Sequence, residues 1–184
     1  MQALNIQWFQ WLHAGSQPEA GLLAFALWCA QALVQVVGAL LLALTLAGPA
    51  PLRRQLCQAL LAVAIGALLA GLVHRLWPQP RPFMLDLGPL WLEHGARAGL
   101  PSSHATGLFS LGFALWLQGL RRLGAVLLLL AALVGWSRVY LGVHFPLDIL
   151  AALPAGLLAA WAARVLWNAL GALRGRRPQA ASAG

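Results

Sequence analysis

His144 and Asp148 stand four residues apart at the start of a long apolar run, a spacing that puts both side chains on one face of a helix. A carboxylate so placed takes the proton of one imidazole nitrogen and leaves the lone pair of the other free to attack an electrophile. Pro146 suits the first turn of that helix, where its missing amide hydrogen costs nothing, and a helix N-terminus beside His144 favours a bound anion. Six residues before the histidine, Arg138 can be folded back toward it by the turn Leu141-Gly142-Val143. A guanidinium matches two oxygens of a tetrahedral phosphate at once, so the chemistry these residue types describe is phosphoryl transfer.

Two more polar islands interrupt the apolar sequence. Pro101-Ser102-Ser103-His104 has the form of a helix start, with Ser102 or Ser103 as N-cap. Its free amides and hydroxyls can grip phosphate oxygens, and His104 can protonate a leaving oxygen as a general acid. Upstream, His74-Arg75 and Arg81-Pro82-Phe83 add cations, with Pro78, Pro80 and Pro82 stiffening the approach of Arg81. Each island read alone has an ordinary explanation. Capping accounts for serines, and an arginine at a membrane surface snorkels to lipid phosphate. Three islands from distant positions that face one compartment form a single candidate site.

The elements that must hold these residues are membrane helices. The chain has 184 residues, 61% of them hydrophobic and 9% charged, with mean hydropathy +0.77, which is too apolar for a soluble globule. The reading is one all-α domain over residues 1–184, a polytopic membrane bundle of about five transmembrane helices, or six if the N-terminal segment enters the bilayer. A span takes about 20 helical residues, and five segments qualify or nearly so: Gly21–Ala47, Gln55–Val73, His104–Leu120, Leu123–Tyr140 and Phe145–Leu166. Leu4–Leu12 is too short to cross, and its Trp8 and Trp11 suit the water–lipid boundary, so a short interfacial helix is expected there. No basic leader and cleavage site frame the first apolar run, so that run is read as a retained span.

Charge then orients the bundle. There is no lysine, and the formal net charge of +8 rests on arginine. Arg53, Arg54, Arg121, Arg122, Arg164, Arg174, Arg176 and Arg177 all fall on one side of a five-span protein, which the positive-inside rule makes the cytoplasm of a bacterial inner membrane. The N-terminus and all three islands then face the periplasm, and residues 171–184 form a flexible cytoplasmic tail. The outside arginines Arg75, Arg81, Arg97 and Arg138 run against the topological bias, which marks them as functional. Basic residues dispersed between apolar runs also argue against a nucleic-acid partner. Cys29 and Cys57 lie in apolar runs without metal spacing and read as packing residues. A metal or haem centre on His74, His104 and His144 is disfavoured by their spacing and by the neighbouring arginines, so no cofactor is expected.

The order Arg81-Pro82, then Pro101-Ser102-Ser103-His104, then Ser137-Arg138-x5-His144-x3-Asp148 resembles the three-part signature of the type 2 phosphatidic acid phosphatases, the lipid phosphate phosphatase superfamily. The resemblance implies a metal-independent hydrolase of lipid phosphates or diphosphates that works through a phosphohistidine. On that basis His144 is the nucleophile, Asp148 orients it, and His104 protonates the leaving group and later activates water. Arg81, Arg138, Ser102 and the Ser103 amide would hold phosphoryl oxygens. The third motif is complete. The first has His74, with Arg75 beside it, where the family usually has lysine, and the second has Ser103 where glycine is usual. Arg81-Pro82-Phe83, the downstream His94 and the short aromatic leader are most similar to the undecaprenyl pyrophosphate phosphatases, in which His94 and Arg97 would stand near the second phosphate. Phosphatidylglycerol phosphate, phosphatidic acid and lipid A phosphates are the rival substrates, and a non-catalytic headgroup-binding or transport protein is the rival class.

Overall fold

A computed structural model describes residues 2–175, and those residues are helical wherever the chain is regular. The helices are α1 (Gln2–Leu12), α2 (Ala20–Ala30), α3 (Ala32–Ala47), α4 (Ala50–Leu76), α5 (Ser103–Leu117), α6 (Arg121–Tyr140) and α7 (Pro146–Gly175), with one 3-10 turn at Pro82–Leu85. Among the described residues, four segments are long and apolar enough to cross a membrane: Ala20–Ala47, Ala50–Leu76, Arg121–Tyr140 and Pro146–Leu173. The chain is a multi-span membrane protein.

The remaining expected span, His104–Leu120, is α5, and its helix is shorter than a usual span. Its 15 residues rise only about 22 Å, less than the hydrocarbon thickness. It ends at Leu117 rather than Leu120 because the Gln118 side chain turns back to the Ala114 carbonyl at 3.0 Å and Gly119 begins a tight turn at positive φ. Shortness is tolerable because α5 is the central rod, packed on α4, α6 and α7. Its buried face, with Ala105, Leu108, Phe109, Leu111, Ala114 and Leu115, joins small residues such as Ala59, Ala62, Ala152 and Ala160 in one core. Without a hydrophobic drive inside lipid, such close backbone approach is what holds helices together.

The first span is expected to be continuous from Gly21 to Ala47, but it breaks at Gln31, whose backbone (φ −115, ψ −70) leaves the helical pattern. Above the break α2 packs on α6, and below it α3 packs on α4. Helix α4 begins at Ala50 and α7 runs to Gly175, so both outlast the apolar segments that define them. Five residues of the expected tail therefore continue a helix, and the remainder lies outside the described residues.

Helix α1 forms where expected. It leaves Trp8 and Trp11 exposed and docks its other side on α6 and α7, burying Phe9 against Val139 and Phe145. The proline-bearing segment between α4 and α5 stays irregular apart from the 3-10 turn, and its residues Leu90, Trp91 and Leu92 tuck against α2 and the α6–α7 turn.

This topology sorts the polar residues to two ends. At one end the His74 ring lies 2.9 Å from the Pro101 carbonyl, and the Ser102 amide donates to the Asp148 carbonyl at 3.0 Å. At the other, Gln118 donates to the Gln55 carbonyl at 3.2 Å and Arg164 to the Leu117 carbonyl at 2.7 Å. Arg53, Arg54, Arg121 and Arg122 start helices at that second end. All three polar islands share the first.

Candidate active site

The α6–α7 turn carries the centre of the site. His144 Nδ1 lies 3.0 Å from Asp148 Oδ2, and the same oxygen accepts the Phe145 amide at 3.0 Å. Asp148 is the third residue of α7, so its reach back to the Phe145 amide is half of a capping box, and the helix start and the imidazole are held by one carboxylate. On its other side His144 Nε2 faces Arg81 Nη1 at 3.0 Å. A guanidinium can only donate, so Nε2 must be the unprotonated nitrogen and Nδ1 the one that carries hydrogen to Asp148. Burial holds the imidazole below its ordinary acidity range, and this outweighs the opposing pull of Asp148. The ring is thus neutral at pH 7, with its lone pair on Nε2.

Arg81 is 4% exposed, and backbone carbonyls fix it: Nε donates to Arg97 O at 2.7 Å, Nη2 to Ala98 O at 3.2 Å and Nη1 to Val143 O at 3.3 Å. Its own affinity for a proton is lowered by burial and partly restored by Asp148, which leaves it a cation. Arg138 on α6 is held differently. Its Nη2 donates to the Ala30 carbonyl at 2.8 Å, an acceptor made available because the break at Gln31 ends α2 there. Arg138 Nε is buried without a partner.

Ser102 is the N-cap of α5, yet its hydroxyl makes no cap bond and is likewise buried without a partner. Both atoms are suited to a ligand oxygen. Ser103 and His104 are exposed in the first turn of α5, and His104 is near enough to Arg138, His144, His94 and Arg81 to feel their charges. The His94 ring meets the His144 ring edge-on at 6.3 Å. Burial and then the charges of Arg81, His144, Arg138 and Arg97 lower the pKa of His94 to about 4, so it is a neutral group at the mouth.

Two expected phosphate ligands are placed elsewhere. His74 Nε2 faces the Pro101 carbonyl, so it carries hydrogen and braces the Pro-Ser-Ser-His turn instead of meeting a phosphate through that nitrogen. Arg75 is exposed in the last turn of α4 and is not among the charges that bear on His94 or His144. Gly99 was not singled out by the motifs, but it is needed: a Cβ there would stand 2.9 Å from Asp148 Oδ2 and 3.3 Å from Arg81 Cγ. Among the described residues, no group of three or more His, Cys, Asp or Glu side chains is arranged to hold a metal ion.

A membrane helix bundle that sets a buried imidazole against one guanidinium, with the charge of a second close by, is equipped to hold a phosphoryl group. Residues 55–171 match the PAP2 superfamily, and the chain belongs to that superfamily of lipid phosphate phosphatases. It is 34% identical over 175 residues to "Putative undecaprenyl-diphosphatase YbjG" of Escherichia coli, covering 93% of this chain and 86% of that protein. It is 26% identical over 155 residues to the undecaprenyl-diphosphatase BcrC of Bacillus subtilis, covering 84% and 80%. The crystal structure of Aquifex aeolicus LpxE superposes with a TM-score of 0.70 at 25% identity, covering 88% of this chain and 95% of that one.

Two expectations follow from this geometry. In a titration of ring-labelled histidines by NMR, His144 changes protonation below pH 6.5 and His94 at about pH 4; a His144 midpoint above 6.5 would mean that Asp148 outweighs burial. The substitution Gly99→Ala, by forcing Asp148 and Arg81 apart, lowers kcat for lipid phosphate hydrolysis by roughly ten- to a hundredfold. Wild-type kcat in that variant would show that the loop yields instead.

Proposed function

We propose that this protein hydrolyses undecaprenyl pyrophosphate to undecaprenyl phosphate and inorganic phosphate at the periplasmic face of a bacterial inner membrane. The observation that carries the reading is the lone pair of His144 Nε2, kept free by Asp148 on the opposite nitrogen and facing a guanidinium. Two relatives have undecaprenyl-diphosphatase in their names, which supports the choice of lipid. The end rich in Arg53, Arg54, Arg121, Arg122 and Arg164 is cytoplasmic by the positive-inside rule, so the site opens outward.

In the reaction, the terminal phosphate takes the Arg81 contact now made to Nε2, and Arg138 Nε and the Ser102 hydroxyl donate to the remaining oxygens. The Nε2 lone pair attacks phosphorus, the bond to the bridging oxygen breaks, and His104, which takes up a proton as the negative charge of the bound diphosphate offsets the neighbouring cations, protonates that oxygen as undecaprenyl phosphate leaves. The phosphorylated imidazole retains its Nδ1 hydrogen, and its positive charge is balanced by Asp148. Water, deprotonated by His104, then attacks the phosphorus; the P–N bond breaks and inorganic phosphate departs with the imidazole neutral again. Two guanidiniums set before the reaction begins supply most of the stabilisation of the transferring group.

Phosphate release by the purified protein from undecaprenyl pyrophosphate, phosphatidylglycerol phosphate and phosphatidic acid, with and without chelator, tests the reading. Undecaprenyl pyrophosphate is expected to turn over fastest, chelator to change nothing, and His144→Ala to reduce turnover by roughly a thousandfold or more. A faster rate on phosphatidylglycerol phosphate would reassign the substrate. No release from any of the three would leave a headgroup-binding or transport protein.

A further inference from the structure

Helix α7 starts without a cap of its own. Phe145 occupies the N-cap position and has no side-chain oxygen, while the Leu147 amide is one of the first-turn donors that such an oxygen normally satisfies. The missing acceptor comes from the far N-terminus: Asn5 Oδ1 of α1 accepts the Leu147 amide at 3.1 Å. The next residue, Asp148, is the one that orients the His144 imidazole.

The same segment grips the other end of the turn. One helical turn on from Asn5, the buried Phe9 ring packs edge-on against Phe145 at 5.6 Å and stacks on His13 at 4.8 Å. The Ala14 amide donates to the Tyr140 carbonyl at 3.0 Å. His13 Nε2 faces the Pro89 carbonyl at 2.9 Å and therefore carries hydrogen, while its Nδ1 accepts the Gly15 amide at 3.2 Å. Trp91 closes the arrangement, its indole donating to Gly15 O at 3.1 Å and its amide to Leu141 O at 3.1 Å. The turn so enclosed requires Gly142: its φ is +81, and a Cβ would stand 2.7 Å from Pro89 O and 3.2 Å from His13 Nε2.

We propose that α1 and the elbow at residues 13–15 are a clasp belonging to the catalytic apparatus, in which Asn5 is a positioning residue that caps α7 and so sets the His144–Asp148 pair against Arg81. An interfacial anchor would need only the outward-facing Trp8 and Trp11. It would not need an amide oxygen seated on the helix that carries Asp148, nor a hydrogen-bonded elbow on the turn that carries His144. The inference rests on the reading of His144 as nucleophile, and its test has one arm that does not.

Asn5→Leu keeps the side-chain size and removes the acceptor; Asn5→Asp keeps the acceptor; Asn5→Ala serves if the leucine variant does not insert. Turnover of undecaprenyl pyrophosphate and hydrogen exchange at the Leu147 amide are measured on the full chain in each. Asn5→Leu is expected to lower kcat about tenfold with KM within about twofold, since a misplaced nucleophile affects the chemical step more than binding. Exchange at Leu147 quickens about tenfold, and Asn5→Asp restores both readings to within about threefold of wild type, because a carboxylate caps as well as an amide. Wild-type kcat in Asn5→Leu, a change confined to KM, or no recovery in Asn5→Asp would overturn the positioning role. If the wild-type protein releases no phosphate, the functional reading fails, and Leu147 exchange still decides the cap: exchange unchanged by Asn5→Leu would remove it.

Discussion

The imidazole of His144 has a charged neighbour on each nitrogen, a carboxylate at Nδ1 and a guanidinium at Nε2, and both lie 3.0 Å away in a buried place. Neither neighbour alone would make a nucleophile. Asp148 by itself would favour the imidazolium, which has no lone pair to offer, and Arg81 by itself would leave the tautomer unsettled. With burial added, the charged ring is disfavoured and the neutral ring has one allowed arrangement. In the proposed reaction the guanidinium facing the lone pair is where the anionic phosphoryl group comes, so that binding and attack share one axis.

Burying two guanidiniums at the end of a membrane bundle is costly unless their hydrogens find acceptors. Regular helices have none to spare, because their carbonyls already accept from within. The acceptors come instead from irregular backbone: Arg97 and Ala98 in the long loop, Val143 in the α6–α7 turn, and Ala30 at the break of the first span. Non-helical backbone at that depth is tolerated where it lines a polar site rather than lipid. The loop, the turn and the broken helix are thus consequences of one requirement. Arg138 Nε and the Ser102 hydroxyl are left unpartnered, and in the proposed reaction they meet the substrate.

The pairing of His144 with Asp148 was legible because the two are near neighbours in sequence, although His144 lies in the turn just before the helix that carries Asp148, and the arginine distribution was legible because it counts charges by side. Four spans were legible for the same kind of local reason. What the sequence hid depends on contacts between distant segments. Gln31 sits inside a run that reads as one helix, and only packing on α6 above and α4 below explains its break. His74 stands where a phosphate-binding lysine is usual, but its aim at Pro101 depends on where α5 begins. Gly99 and Asn5 carried no signal in their own neighbourhoods, since one is required by a carboxylate 49 residues on and the other by an amide 142 residues on.

The most direct measurement is to mix the protein with undecaprenyl pyrophosphate labelled in its terminal phosphate, quench in denaturing alkali within the first turnover, and locate the label by mass spectrometry of peptides. Phosphate on His144 through Nε2 is the expected result, present in the wild-type protein and absent from His144→Ala. Label on His104, or steady turnover with no labelled histidine under conditions where phosphohistidine survives, would contradict the claim that the free nitrogen of His144 is the attacking atom.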